Sequence, residues 1–109
     1  MSAFAGSSEQ LSEEEKARYD RQIRVWGAEA QTRIQNAKVL MIGLNGVHPE
    51  VVKNIVLAGV GVVLLDKRTV TISDLAYNYF LTSGDVGKEA AQASSARIQE
   101  LNSFAAVAV

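Results

Sequence analysis

The sequence predicts an α/β fold: a Rossmann-like βαβαβ half of a doubly wound parallel sheet, preceded by two N-terminal helices. Two apolar runs carry this, KVLMIG from Lys38 and VGVVLLD ending at Asp66. Their unbroken hydrophobicity is that of parallel strands buried on both faces. Each is followed by a segment of helical periodicity, EVVKNIVLAG and GKEAAQASSARIQELNS, and a third apolar run, FAAVAV, completes the order strand, helix, strand, helix, strand. Right-handed crossovers are expected for such an order.

Taken in order, residues 1–11 are small and polar and read as a disordered tail; a single unit spans 12–109. Ser12 and Glu15 form an S-x-x-E capping box, and three glutamates lie where the dipole of a first helical turn favours them. That helix is expected to run to Gly27. A second short helix follows, with Ala28, Ala30, Ile34 and Ala37 as inward positions. In the helix after the first strand, Val51, Val52, Ile55 and Val56 are the inward set, Pro49 suits the first helical position, and Gly59 suits the stop. Residues 67–85 read as loop with a short helical turn near Asp74. The last helix begins at Lys88, has an apolar stripe of Ala90, Ala91, Ala96, Ile98 and Leu101, and ends near Asn102. A bare apolar strand as the closing segment suggests the front part of a larger fold, or a chain that needs a partner.

Composition narrows the functional classes. The chain has 109 residues, 48% of them hydrophobic, with one proline and a net charge of -1. This suits one globular domain and offers no general attraction to nucleic acid or an anionic membrane. Cysteine is absent, which removes disulfides, thiolate zinc sites and a cysteine nucleophile, and a single histidine cannot build a metal site. No apolar run approaches a membrane span, and the first ten residues lack the pattern of a secretory signal, so a soluble protein of nucleus or cytoplasm is expected.

Four places invite a functional reading. The loop after the first strand reads Gly43-x-x-Gly46-x-His48-Pro49, a weak form of the glycine-rich turn that brings backbone N–H groups to a phosphate. His48 is bulky where the helix must sit close, and Pro49 removes a donor. Asp66 follows Gly43 by 23 residues, where a dinucleotide or ATP site holds a ribose hydroxyl, yet Lys67 and Arg68 come next where a magnesium-binding carboxylate would be more useful. The segment YDRQIRVWG reads by composition as a helix end that packs its aromatics and leaves Arg21 and Arg24 in solvent, although an arginine there has the charge and geometry to reach a phosphate in a partner's site. Lys88 has the same two readings, phosphate contact or solvated lysine.

Together these stretches resemble the N-terminal part of the activating enzymes for ubiquitin and ubiquitin-like proteins, of ThiF/MoeB-like adenylation type, and within them the SUMO-type non-cysteine half. The segments that carry the resemblance are SEEEKARYDRQIRVWGAEAQTRIQNAKVL, IGLNGV, EVVKNIVLAGV, LLD, YFLTSGDVGK and ARIQELN. The resemblance implies a heterodimer of two related halves. One half makes the acyl-adenylate of the modifier from ATP and magnesium, and the partner's cysteine takes the modifier as a thioester. It also implies that the half with YDRQIR lends Arg21, in trans, to the ATP phosphates in the other subunit, Arg24 being the lesser candidate.

The active half of that family carries a richer glycine loop, a second acidic residue two positions after the strand-end aspartate, and an asparagine and arginine in the next loop. Here those places read His48-Pro49, Arg68 and DLAYNYF. The pattern implies the inactive half, with Gly43, Gly46, Asp66 and Lys88 as vestiges of a nucleotide site, no cofactor bound by this half, and the modifier, preferably SUMO, handled with the partner. Two alternatives stand beside it: a homodimeric sulfur-carrier adenylyltransferase, and a structural or NAD-binding Rossmann fragment.

Overall fold

The computed structural model describes residues 11–109; the expected disordered tail lies outside them, Leu11 apart. Helix α1 (Glu13–Arg18) starts as the capping box requires. The Glu15 N–H donates to Ser12 Oγ at 3.1 Å and the Ser12 N–H to Glu15 Oε1 at 2.9 Å. The helix stops earlier than predicted, because Tyr19 leaves helical geometry (φ -99°, ψ 17°) to insert its ring into the interior. Helix α2 (Asp20–Asn36) follows and is kinked at Gly27, whose φ of 86° and ψ of 161° break the helical path as the glycine suggested.

Strand β1 (Lys38–Ile42) pairs in parallel with β2 (Gly61–Leu65), Lys38 opposite Gly61 through Ile42 opposite Leu65. Helix α3 (His48–Ala58) connects them. Two short 3-10 helices, Ile72–Ala76 and Ser83–Asp85, punctuate the loop after β2, the first at the predicted place around Asp74. Helix α4 (Ala90–Leu101) then leads to β3 (Val107–Ala108), which pairs in parallel with β2, giving the order β1-β2-β3.

Helices α3 and α4 cover one face of this sheet. Val52, Val56, Ala91 and Ile98 from the helices meet Met41, Val62 and Leu64 from the strands in a continuous apolar core. The expectation that KVLMIG is buried on both faces is corrected here. Only Met41 of β1 is buried, while Leu40 and Ile42 are 57% and 63% exposed. Register sets Leu40 beside Val63 and Ile42 beside Leu65, so an apolar strip lies on the face that α3 and α4 leave open. A continuous apolar run reports the hydrophobicity of both faces of a strand, and the described residues supply cover for one.

Several inward assignments also change. Val51 and Ala96 turn outward, Ala28 and Ala37 are exposed, and Ala30 and Ile34 are half-buried. The buried positions at those levels are polar, Gln31 and Ser94. Ser94 Oγ accepts from the Asn78 amide at 3.2 Å. FAAVAV forms only two residues of strand, since Phe104 packs beside Tyr19 with ring centroids 6.5 Å apart and its N–H donates to Asn102 Oδ1. Helix α3 begins at His48, earlier than Glu50, and α4 begins at Ala90, two residues after Lys88.

The C-terminus of α3 is the best-connected point. Gly59 adopts φ 107°, its N–H donates to Val56 O and the Val60 N–H to Ile55 O, the paired bonds of a Schellman stop. Ala58 O accepts from Gln31 and Gln22, and Val56 O accepts also from Asn102 Nδ2, which further donates to the Tyr19 hydroxyl at 2.7 Å. Gln31 Oε1 is held in turn by Trp26 Nε1 at 2.9 Å. Burial of Gln31 is thereby explained: its amide closes the end of a neighbouring helix.

Two predictions follow from this packing. Asn102→Ala removes the partner of the Phe104 N–H and of the Tyr19 hydroxyl and leaves Val56 O with the Gly59 N–H, and at ~1–3 kcal/mol for a buried group left unmade it is expected to lower unfolding free energy by about 2–4 kcal/mol in urea titration. Ile42→Lys on the open face is expected to stay within ~0.5 kcal/mol of the parent, whereas Leu64→Ala costs about 2–5 kcal/mol. Equal losses for the last two would contradict one-sided burial.

Candidate functional site

The candidate site lies where β1 and β2 end and α3 begins, the crevice at which open α/β sheets take ligands. Gly43 and Gly46 both have positive φ, 92° and 61°, so the loop turns as the glycine spacing suggested. Three of its donors are committed. The Gly43 N–H donates to Leu65 O at 2.9 Å, the Leu44 N–H to Asp66 Oδ2 at 2.8 Å, and the His48 N–H to Asn45 O at 3.1 Å. Pro49, in the first turn of α3, has no N–H to offer. An anion at a helix N-terminus is held by free N–H groups; these four positions supply none, and among the described residues the Asn45, Gly46 and Val47 N–H groups between them carry no hydrogen bond.

The His48 ring occupies the space over the loop. A Cβ placed on Gly43 would lie 3.1 Å from His48 Nδ1, and that nitrogen is buried without a hydrogen-bond partner. The close approach that the glycine permits is taken by an imidazole edge.

Asp66 is buried at the end of β2, and its carboxylate is fully engaged. Oδ1 accepts from the Arg68 N–H at 3.1 Å and Arg68 Nε at 3.0 Å; Oδ2 accepts from Arg68 Nη2 at 2.9 Å and from the Leu44 N–H. A carboxylate offers about four lone-pair positions, and here four donors fill them. The Arg68 guanidinium holds the Asp66 carboxyl below its ordinary value against the opposing effect of burial, with the Arg68 and Leu44 N–H groups adding to it. Asp66 therefore ties β2 to the glycine loop. The sequence signalled Arg68 only as a departure; the clamp became visible once the chain was seen to turn back over the strand end.

Lys88 is not beside this crevice loop by contact. Its ammonium lies 3.6 Å from Asp85 Oδ1, in the loop before α4, and its carbonyl accepts from the Val70 N–H. Asp85 is the centre of that loop. Thr82 donates to its Oδ2 through backbone and hydroxyl at 2.8 and 3.2 Å, and Arg97 Nη1 at 2.7 Å. Arg97 reaches Phe80 O as well.

Arg21 stands apart from both loops, exposed on the first turn of α2. Among the described residues its guanidinium has no hydrogen-bond or ion-pair partner. Arg24 pairs with Asp20 at 3.1 Å, and Val25 beside it is 78% exposed. The aromatics of this segment divide: Tyr19 is buried, while Trp26 is half-exposed with its indole N–H bound to Gln31. No cluster of three or more metal-ligating side chains occurs among the described residues, and no helix there is long and apolar enough to cross a membrane.

The Asp85 contacts give a pH prediction. The Thr82 N–H and the Arg97 guanidinium lower its carboxyl to about 2. A depressed folded-state value means stability that is present above the unfolded value of ~3.9 and lost as pH falls toward the folded one. The melting-temperature gap between the parent and Asp85→Asn is expected to shrink as pH drops from 5 to 2. A gap that stays constant would rule out this linkage.

Comparison with known proteins agrees with this architecture. The chain is 47% identical to SUMO-activating enzyme subunit 1 of Homo sapiens over 100 residues, 91% of this chain and 29% of that protein. It is 43% identical to the Dictyostelium discoideum protein of the same name, over 91% of this chain and 30% of the relative. The chain thus spans under a third of the length of these relatives. Among solved structures, PaaA superposes with a TM-score of 0.80 at 25% identity, covering 95% of this chain and 35% of that one. The E. coli tRNA N6-threonylcarbamoyladenosine dehydratase TcdA, in complex with AMP, superposes with a TM-score of 0.80 at 22% identity, over 94% and 42%, and shows the shared fold. Residues 19–109 match the ThiF family, and with the parallel sheet, the glycine turn and the strand-end aspartate in place, the chain belongs to that family.

Proposed function

We propose that this chain is the non-catalytic half, or part of it, of a heterodimeric SUMO-type activating enzyme. It binds the cysteine-bearing catalytic subunit and supports ATP-dependent adenylation of the modifier there, lending Arg21 to the phosphates across the interface. The nucleus or cytoplasm is its setting. Similarity to SUMO-activating enzyme subunit 1 supports the pathway, and the state of the crevice supports the division of labour.

One observation carries the reading: a glycine turn covered by the His48 ring and a saturated Asp66 stand in the same chain as an exposed arginine whose guanidinium has no partner among the described residues. A nucleotide-binding half needs the reverse. Arg21 also sits on a helix rooted by Gln22 and Gln31 in the end of α3, so its backbone is held while its side chain is free to reach outward. A guanidinium so placed offers bidentate donors to phosphate oxygens and stabilises the charge that builds on the departing pyrophosphate. ATP and magnesium belong to the partner's site. The His48 ring against Gly43 and the proline in the first turn of α3 speak against an independent homodimeric adenylyltransferase, and the saturated Asp66 against an NAD-binding fragment.

The test is ATP–pyrophosphate exchange by the reconstituted heterodimer. Arg21→Ala is expected to slow exchange by ~1,000-fold or more, in keeping with the worth of an arginine finger, with Arg21→Lys between. Arg24→Ala is expected to have little effect. Equal rates for Arg21→Ala and parent, at equal heterodimer occupancy, would refute the role.

A further inference from the structure

Arg68 and His48 do more than depart from a pattern. The Asp66 carboxylate lies at the end of β2, where a nucleotide's ribose hydroxyl would donate, and two of its four acceptor positions are filled by one side chain, Arg68. The other two accept backbone N–H groups, from Arg68 and Leu44, which hold the strand end whether or not the guanidinium is present. On the glycine turn that Asp66 holds through Leu44, His48 lays its ring edge against Gly43, the spot a phosphate would need for close backbone approach, and gains no hydrogen bond at its buried Nδ1. Asp66 keeps two N–H partners without the Arg68 side chain, and His48 Nδ1 makes no hydrogen bond that would hold its ring there.

We propose that Arg68 and His48 are the specificity-determining residues that keep nucleotide out of this crevice, acting as an internal stand-in for the ribose contact and a plug over the phosphate turn. The proposal rests on the reading of this chain as the non-catalytic half, and assigns that property to two side chains on an otherwise retained frame. Gly43 and Gly46 keep the turn, Asp66 keeps its place, and the crevice is closed from within.

Removing the Arg68 side chain frees two acceptor positions on Asp66, and removing the imidazole uncovers Gly43. Each change is therefore expected to favour a different part of the ligand. Isothermal titration of the full chain with AMP and with ATP plus magnesium is the measurement, on parent, Arg68→Ala, His48→Gly and the double variant, with amide NMR spectra to establish that each is folded. Arg68→Ala is expected to tighten AMP by roughly tenfold, the fold-change that one added hydrogen bond to a charged group supplies, and the double variant to tighten ATP by roughly 100-fold over the parent. Should the double variant not fold, Arg68→Gln, which keeps the stem and removes the charge, is expected to show a smaller gain for AMP.

The outcomes separate the two ideas. A parent chain that binds ATP as tightly as the double variant overturns both this proposal and the non-catalytic reading. Folded variants whose affinities match a non-binding parent overturn the plug alone, leaving the non-catalytic reading intact.

Discussion

The structure depends on closing the C-terminal end of α3 inside the protein. A helix ends with carbonyls that have no partner of their own, and burying them uncompensated costs ~1–3 kcal/mol each. Here Gly59 bends the chain through positive φ, Gln22 and Gln31 reach Ala58 O from α2, and Asn102 reaches Val56 O from the end of α4. A side chain at the bend would be crowded as well as strained: a Cβ on Gly59 would lie 3.1 Å from both Gln35 Cγ and the Tyr19 hydroxyl, at φ 107°. Three helices and the N-terminal segment are therefore fixed by one set of polar contacts. The apolar core beneath them supplies the larger energy, and the polar set decides the arrangement.

The opposite end of α3 is closed by different means and to a different effect. In a nucleotide-binding turn the helix start is left electrically unsatisfied so that an anion can complete it. Here the sheet end takes the first two N–H groups, the loop takes another, proline deletes one, and a carboxylate that would hold ribose is matched by an arginine two residues on. These contacts tie the glycine turn to the sheet end.

The parts of this that were legible in the sequence are the local ones. A capping box needs residues three apart, and Ser12–Glu15 formed it. A glycine after an apolar helix marks its stop, and Gly59 provided it. Tertiary demands account for the rest. Tyr19 breaks its helix because its ring is wanted inside, Gln31 is buried because another helix ends against it, and Ala28, Val51 and Ala96 face outward although periodicity alone set them inward. KVLMIG could not disclose that α3 and α4 cover a single face. At the candidate site, the glycine turn and Asp66 were legible, while the Arg68 clamp depended on the direction the chain takes after β2, which no spacing records.

The arginines show why, within the proposed role, Arg21 is the better candidate than its neighbour. The chain has six. Arg18 donates to Leu101 O at the end of α4, Arg24 pairs with Asp20, Arg33 with Glu29, Arg68 with Asp66, and Arg97 with Asp85 and Phe80 O. Arg21 alone has no such partner among the described residues. A guanidinium recruited to a phosphate must first give up its existing contacts, and it loses side-chain freedom when it docks. Arg24 would exchange one carboxylate for another anion and recover only the difference. Arg21 sets the whole of a new charge-assisted contact against its entropy, and the anchored turn beneath it limits the backbone freedom still to be lost.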